Sequence, residues 1–406
     1  MKTNAFLSTR YLCAAMTGVL MLAAVSCGQK GNGTGLVSVK YSQLPQGEDL
    51  MLSELVGEPE FIVLDSDTAV AYTPFATVNV SDTYISVFSI ASRTPLKLFD
   101  RSTGKYLRTY GGIGRGPGEF LQISSVQIDE AGGKIWMRTY PDINQLHAYD
   151  IATGEMEDVP LAYSTDDGSW LDYSFSVDGR ERNITVAVLP EDNGCPALAW
   201  CQDYEGEVLW EIPKTYSFPE DNRAMMDTDR NVHGMLDVSY RSTNTMQDTV
   251  WLYGGGEAHP LLTVSFGQTE QSEAAGYKDG NYIYSTTVLP GHIVMSVRKQ
   301  GKSVMKEGVR HVSTEPLPGV IMDRRIGDVH LGGVVNDLMD GERVGIGDFV
   351  DGYAVCQYDA VSFMEAGRTA LESGNLSDAA RARISEILSV LSEEDNDVLM
   401  IAPLNK

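Results

Sequence analysis

The stretch Leu98-Phe99-Asp100-Arg101-Ser102-Thr103-Gly104-Lys105 returns as Ala148-Tyr149-Asp150-Ile151-Ala152-Thr153-Gly154-Glu155, with the two Asp residues 50 apart. A looser copy, Cys201-Gln202-Asp203-Tyr204-Glu205-Gly206-Glu207, follows 53 residues later. Each copy has an apolar or aromatic run, an Asp, a Gly, and then a second alternating run such as Tyr106-Leu107-Arg108-Thr109-Tyr110 or Val208-Leu209-Trp210-Glu211-Ile212. An Asp carboxylate can accept the N–H groups of a tight turn, and Gly takes positive φ without strain, so each copy reads as a β-hairpin. A hairpin that recurs at this period in a strand-rich chain is the mark of a propeller, one four-stranded blade per repeat.

Working outward, Thr83–Phe88, Lys134–Arg138, Thr249–Tyr253 and His292–Val297 are rich in β-branched and aromatic residues and read as further strands. Helical periodicity is absent until about residue 359. There Ala380, Ile384, Ile387, Leu388 and Leu391 share one face of a helix that Ser377 can cap and that ends near Asp395. Val398-Leu399-Met400-Ile401-Ala402 reads as a last strand. A helical insert over about 359–393 followed by a closing strand fits a propeller whose final blade is completed by both termini, with Phe61-Ile62-Val63-Leu64 as the N-terminal contribution.

The domain over residues 45–406 divides into six blades of about 60 residues or seven of about 52, and spacing does not choose between them. The string Gly112-Ile113-Gly114-Arg115-Gly116-Pro117-Gly118-Glu119-Phe120 after the first hairpin resembles the signature of six-bladed β-propeller lipoproteins of gut-type Gram-negative bacteria. Gln247-Asp248-Thr249-Val250-Trp251, Val264-Ser265-Phe266-Gly267 and Glu393-Glu394-Asp395-Asn396-Asp397-Val398-Leu399 are similar to further strings of that NHL/TolB-like group, with Asp397 where it often has Pro. The resemblance implies an all-β, six-bladed propeller and an exported lipoprotein. It supplies no catalytic residues.

The N-terminus carries the address. Lys2 and Arg10 precede a nearly apolar Tyr11–Val25, too short for a stable bilayer span, so residues 1–26 read as a signal peptide. Ala24-Val25-Ser26-Cys27 resembles a lipobox, which makes Cys27 the lipidated first residue of the mature chain. Residues 27–44, opening with Gly28-Gln29-Lys30-Gly31-Asn32-Gly33-Thr34-Gly35, read as a flexible tether. Gly28 is not the Asp that retains lipoproteins at the inner membrane, and no acidic run follows Cys27. The expected location is therefore the outer membrane, facing the periplasm. Three cysteines remain in the domain, Cys195, Cys201 and Cys356. If the first two share one extended strand they lie roughly 20 Å apart, so buried free thiols are expected.

Composition narrows the function. Hydrophobic residues make up 43% of the 406 and charged residues 21%, as in ordinary globular chains. With 56 Asp+Glu against 31 Lys+Arg, a net charge of -25 argues against nucleic acid, whose phosphates need clustered cations. The glycine string fails the dinucleotide-binding spacing, since Pro117 or Glu119 falls where the third glycine belongs. It reads as an inter-blade loop in which Gly114, Gly116, Pro117, Gly118 and Phe120 set the turn. Arg115 and Glu119 would form an exposed pair available to a ligand.

Six scattered histidines offer no metal spacing, and Asp227-Thr228-Asp229-Arg230-Asn231-Val232-His233 begins like a calcium loop without its Gly or Glu. The expected function is a non-catalytic binding or scaffold module, without cofactor, for a protein, peptide or glycan partner. The alternative is a metal-dependent lactonase- or lyase-like propeller with a divalent cation in its central channel. Asp129, Asp142, Asn144 and Asp178, near strand ends, are its available acids and amide.

Overall fold

The computed structural model describes residues 35–406 apart from 66–75, 90–93, 117, 143, 166–170, 219–224, 242–246, 267–280, 307–308 and 374. The signal peptide, Cys27 and Pro117 lie outside the described residues.

Six blades, each built on four antiparallel strands, succeed one another along the described chain, and one of them carries an added fifth strand. In blade 1 the strands run Thr77–Val80, Tyr84–Ser89, Thr94–Asp100 and Tyr106–Tyr110, in that order across the sheet. Blades 2 and 3 repeat the order from Gln122–Asp129 to Met156–Pro160 and from Tyr173–Asp178 to Val208–Pro213. Blades 4 and 5 run from Met225–Asp229 to Glu257–Ser265 and from Asn281–Val288 to Asp328–Leu331. Blade 6 differs. Its first two strands, Phe349–Val350 and Tyr353–Tyr358, are followed by the chain's last strand, Val398–Pro403, and its outer strand is Glu60–Val63 from the N-terminus. Both ends of the domain thus meet in one sheet, which closes the ring and leaves it no open seam.

The Asp-Gly repeat is the third-to-outer turn of blades 1 to 3. Asp100 Oδ1 accepts the Thr103 N–H at 2.9 Å, Asp150 Oδ1 the Thr153 N–H at 2.7 Å, and Asp203 Oδ1 the Glu207 N–H at 2.8 Å. Gly104, Gly154 and Gly206 all have positive φ, where a side chain would be strained. Blade 5 carries a fourth copy, Asp323 to Gly327, which the sequence pattern alone hides behind Arg324 and Arg325.

Each sheet buries both faces, so apolar clusters lie at the blade junctions. Trp136, Phe175 and Trp200 pack between blades 2 and 3; Ile62, Val80, Ile85, Leu399 and Ile401 pack between blades 6 and 1. The insert is two helices, α1 (Ala360–Ser373) and α2 (Asp378–Val390). Ser377 caps α2, accepting the Ala380 N–H, and Phe363, Ile384 and Ile387 bury against blade 6.

One boundary differs from the sequence reading. Val37–Lys40, assigned to the tether over 27–44, pairs in parallel with Leu262–Ser265 as a fifth strand of blade 4, and Tyr41 packs on Phe266. The alternation Val37-Ser38-Val39-Lys40 is enough to pair on an open sheet edge once the blade exists, although it is too short to signal a strand alone. Cys195 lies just ahead of the strand Ala197–Asp203 that holds Cys201, so the two do not share one strand; with Cys356 they are buried and free.

Candidate functional site

Strands alternate in direction, so inter-blade connections and second-to-third connections gather on one face. The Asp-Gly hairpins and the first-to-second turns gather on the other. Among the described residues, three places carry chemistry-bearing groups, namely the glycine loop on the first face, the channel floor on the second, and a cavity beside the helical insert.

The glycine loop joins blades 1 and 2. Gly112–Ile113 pairs in parallel with Glu119–Phe120, and Glu119 Oε2 accepts the Gly116 N–H at 2.7 Å. Glu119 therefore braces its own loop; it and Arg115 are both exposed, and no ion pair joins them, because a carboxylate three residues from a free N–H reaches it with little chain ordering. Phe120 is buried against the His147 ring, 4.6 Å between centroids, while His147 Nδ1 meets Asp158 at 2.6 Å. Of the loop glycines, Gly118 has positive φ and Gly116 does not. A Cβ on Gly114 would strike the Glu119 carboxylate.

Gly118→Val should therefore cost roughly 1–3 kcal/mol through strain. Arg115→Ala should stay within about 0.5 kcal/mol. Thermal melts of these two and Gly116→Val settle the assignment: equal losses for both glycine variants would refute a strain confined to Gly118.

The channel is lined by first-strand residues of several blades, among them Asn79, Ser125, Ser174, Thr228 and Phe349. Its floor is closed by Arg230, at the end of the first strand of blade 4. The guanidinium donates to Asp351 of blade 6 (Nε to Oδ1 at 2.6 Å, Nη2 to Oδ2 at 3.1 Å), to Phe175 O of blade 3 at 3.0 Å, and to Val126 O of blade 2 at 3.1 Å. Four blades are tied by one side chain. Asp351 and Gly352, both at positive φ, form the two-residue turn that presents the carboxylate, and Asn231 Oδ1 accepts the Gly352 N–H.

Burial opposes the Arg230 charge, but Asp351, Asp229 and Asp237 outweigh it and hold its pKa above the ordinary value. Asp229 and Asp237 face each other across neighbouring strands. Burial pushes both carboxyls up, Asp229 far up with Asp237 adding repulsion.

The acids that a metal enzyme would draw on lie elsewhere. Asp129 Oδ1 accepts the Gly132 N–H, Asp178 Oδ1 the Arg180 N–H, and Asp142 sits 3.5 Å from His147. Among the described residues no three His, Cys, Asp or Glu side chains converge as metal ligands, and a guanidinium holds the floor. Asp227–Asp229 is strand rather than calcium loop, and Arg230 is the residue that reading passed over. The available signal was a lone cation ending a strand among acids.

The third place is a cavity of about 660 Å³ bounded by the connection from blade 5 to blade 6 and by the ends of the second and third strands of blade 6. Asn336, Asp340, Asp348 and Tyr358 line it. Burial pushes the Asp348 carboxyl up to about 6, against the Gly345 N–H that holds it down. Burial also pushes up the Cys356 thiol beside it, so that sulfur stays protonated and unreactive. Asn336, Asp340, Asp348 and Tyr358 were not singled out from the sequence, because they look like ordinary turn and strand residues there.

A family model described as a 6-bladed beta-propeller (DUF5128) matches residues 30–192. No curated protein matches the chain. Among solved structures, a protein described as exported, from Bacteroides fragilis, aligns over 91% of this chain and 100% of its own, at 16% identity and a TM-score of 0.53. A DUF4221 family member from Bacteroides vulgatus aligns over 86% of this chain and 97% of its own, at 9% identity and a TM-score of 0.42. At these identities the likeness is one of fold.

Proposed function

We propose that this six-bladed β-propeller is a non-catalytic binding module of the bacterial envelope, held to the outer membrane by a lipid on Cys27 and facing the periplasm. The observation that carries the non-catalytic reading is the Arg230 plug. The channel floor, where a cation of the alternative class would need converging carboxylate and amide oxygens, carries a guanidinium paired to Asp351. A divalent ion there would have to expel a buried, fourfold-bonded cation, which costs several kcal/mol before any ligand bond forms. The envelope address rests on the signal-like residues 1–26 and the lipobox-like Ala24-Val25-Ser26-Cys27. An exported protein among the similar folds supports it.

Two measurements test the two parts. Titration with Ca²⁺, Mn²⁺ and Zn²⁺ should show no tight stoichiometric site, and Arg230→Lys should not change that. A divalent ion held in the channel by three or more oxygens would overturn the binding-module reading in favour of the enzyme. Cell fractionation should find the wild type in salt-washed membranes and Cys27→Ser in the soluble fraction, because one short lipid-bearing segment is the anchor. A Cys27→Ser chain that still pellets after the wash would refute the lipid anchor.

A further inference from the structure

The cavity beside the helical insert combines three features that point to one kind of ligand. Its volume, about 660 Å³, lies within the roughly 300–1,000 Å³ of small-molecule sites. Its wall carries six carboxylates against one guanidinium, and that guanidinium, Arg343, is engaged by Asp49 at 2.6 Å. The third feature is Asn336. The residue is 3% exposed, and its Nδ2 donates to Tyr358 OH at 2.9 Å and to Cys356 Sγ at 3.7 Å. Its Oδ1 meets no donor. A buried carbonyl oxygen without a partner forgoes a hydrogen bond, and it is retained at a cost unless a ligand supplies the missing donor.

From these we infer that the cavity binds a small ligand carrying a primary ammonium group beside hydroxyl or carbonyl oxygens. The ammonium brings three N–H donors and no acceptor, matching an unpartnered carbonyl oxygen in an acid-lined wall. Tyr358, already accepting from Asn336, keeps its own O–H to give to a neighbouring ligand oxygen.

A divalent metal fits less well. It needs oxygens converging at 2.0–2.6 Å, whereas here Asp340 Oδ1 accepts the Glu342 N–H, Asp348 Oδ2 the Gly345 N–H and Asp395 Oδ2 the Ser392 N–H. The acids are fixed at separate turns around the wall. They set a negative potential without forming a coordination shell, and among the described residues none of them group as metal ligands.

This inference rests on the binding-module reading and deepens it. An amino sugar and a lysyl peptide share the chemistry, so the probes are a glucosamine disaccharide and dilysine, each beside its N-acetylated form, titrated calorimetrically into the full domain. At least one ammonium probe should bind, its N-acetylated form at least tenfold weaker, and the preferred probe names the source. Asp340→Asn keeps the acceptor for the Glu342 N–H and removes one charge, so it should fold normally and weaken binding about tenfold. Asn336→Leu should abolish binding, and Glu155→Gln, exposed in a blade 2 turn away from this wall, should leave it unchanged.

Absence of binding by both ammonium probes, indifference to Asp340→Asn, or a stoichiometric Ca²⁺ ion that competes at the cavity each overturns the proposal. Equal binding of the N-acetylated forms overturns the ammonium class and leaves the binding module standing. Chemical conversion of a bound probe, read by mass spectrometry, overturns the non-catalytic reading instead.

Discussion

Removal of Val398–Lys406 should abolish the folding of the whole ring. The last strand is the third of blade 6, with Tyr353–Tyr358 on one side and the N-terminal Glu60–Val63 on the other. Its deletion therefore strips two strands of their partners and frees the N-terminal segment from the sheet. Val398, Leu399, Met400, Ile401 and Ala402 are all fully buried. Four large apolar side chains at about 1.5–3 kcal/mol each amount to roughly 6–12 kcal/mol, as large as the usual net stability of about 5–15 kcal/mol.

The expected result is a chain without a cooperative thermal transition, expanded by size-exclusion chromatography. The milder Met400→Ala should fold and lose about 2–5 kcal/mol. A truncated chain that melts cooperatively at the wild-type temperature would sink the account of ring closure.

Arg230→Ala is expected to be the most damaging single polar substitution. It leaves the half-buried Asp351 without its partner and removes the donors from Phe175 O and Val126 O, a loss on the scale of 3–5 kcal/mol. The pair should couple strongly. Asp351→Ala added to Arg230→Ala should cost much less than the two single changes summed.

The loss should also depend on pH in a defined direction. Asp229 and Asp237 already have folded-state pKa values raised by burial, with Arg230 among the groups that hold them down. Without Arg230 these values rise further, so folding favours the protonated acids more strongly and stability falls as pH rises toward and above neutral. Denaturant melts from pH 5 to pH 8 should show the gap between wild type and Arg230→Ala widening with pH. A constant gap would mean that the guanidinium acts only as a hydrogen-bond donor and leaves the two acids unperturbed.

Local signals carried much of the fold. The Asp-Gly turn is written in four or five residues because the Asp oxygen and the positive-φ Gly act within the turn itself, so Asp100, Asp150 and Asp203 mark the blades without tertiary help. The Ser377 cap and the 3.6-residue spacing of Ala380, Ile384 and Ile387 likewise fix α2 locally, and Phe61–Leu64 was legible as a strand awaiting a sheet, observed as Glu60–Val63. At the glycine loop, Phe120 and Gly118 were readable as turn-setting residues, while the partner of Glu119 was not. Whether its oxygen meets Arg115 or the Gly116 N–H depends on a loop path no spacing rule specifies.

Tertiary structure alone decided the rest. The number of blades follows from how many twisted sheets pack face to face before the termini meet, a property of the whole ring. Arg230 meets Asp351, 121 residues away, together with carbonyls from two further blades. Asn336 becomes an unsatisfied acceptor only because the fold buries its Oδ1 away from any donor, while its amide hydrogens go to Tyr358 and Cys356 of blade 6. Such meanings are set by burial and by partners distant in sequence. The sequence by itself determined the turns, the strand alternation and the closing segments, because those interactions span a few residues. The plugged channel and the acid-walled cavity came from the folded ring, because charge and unpaired polarity acquire their weight only where packing has excluded water.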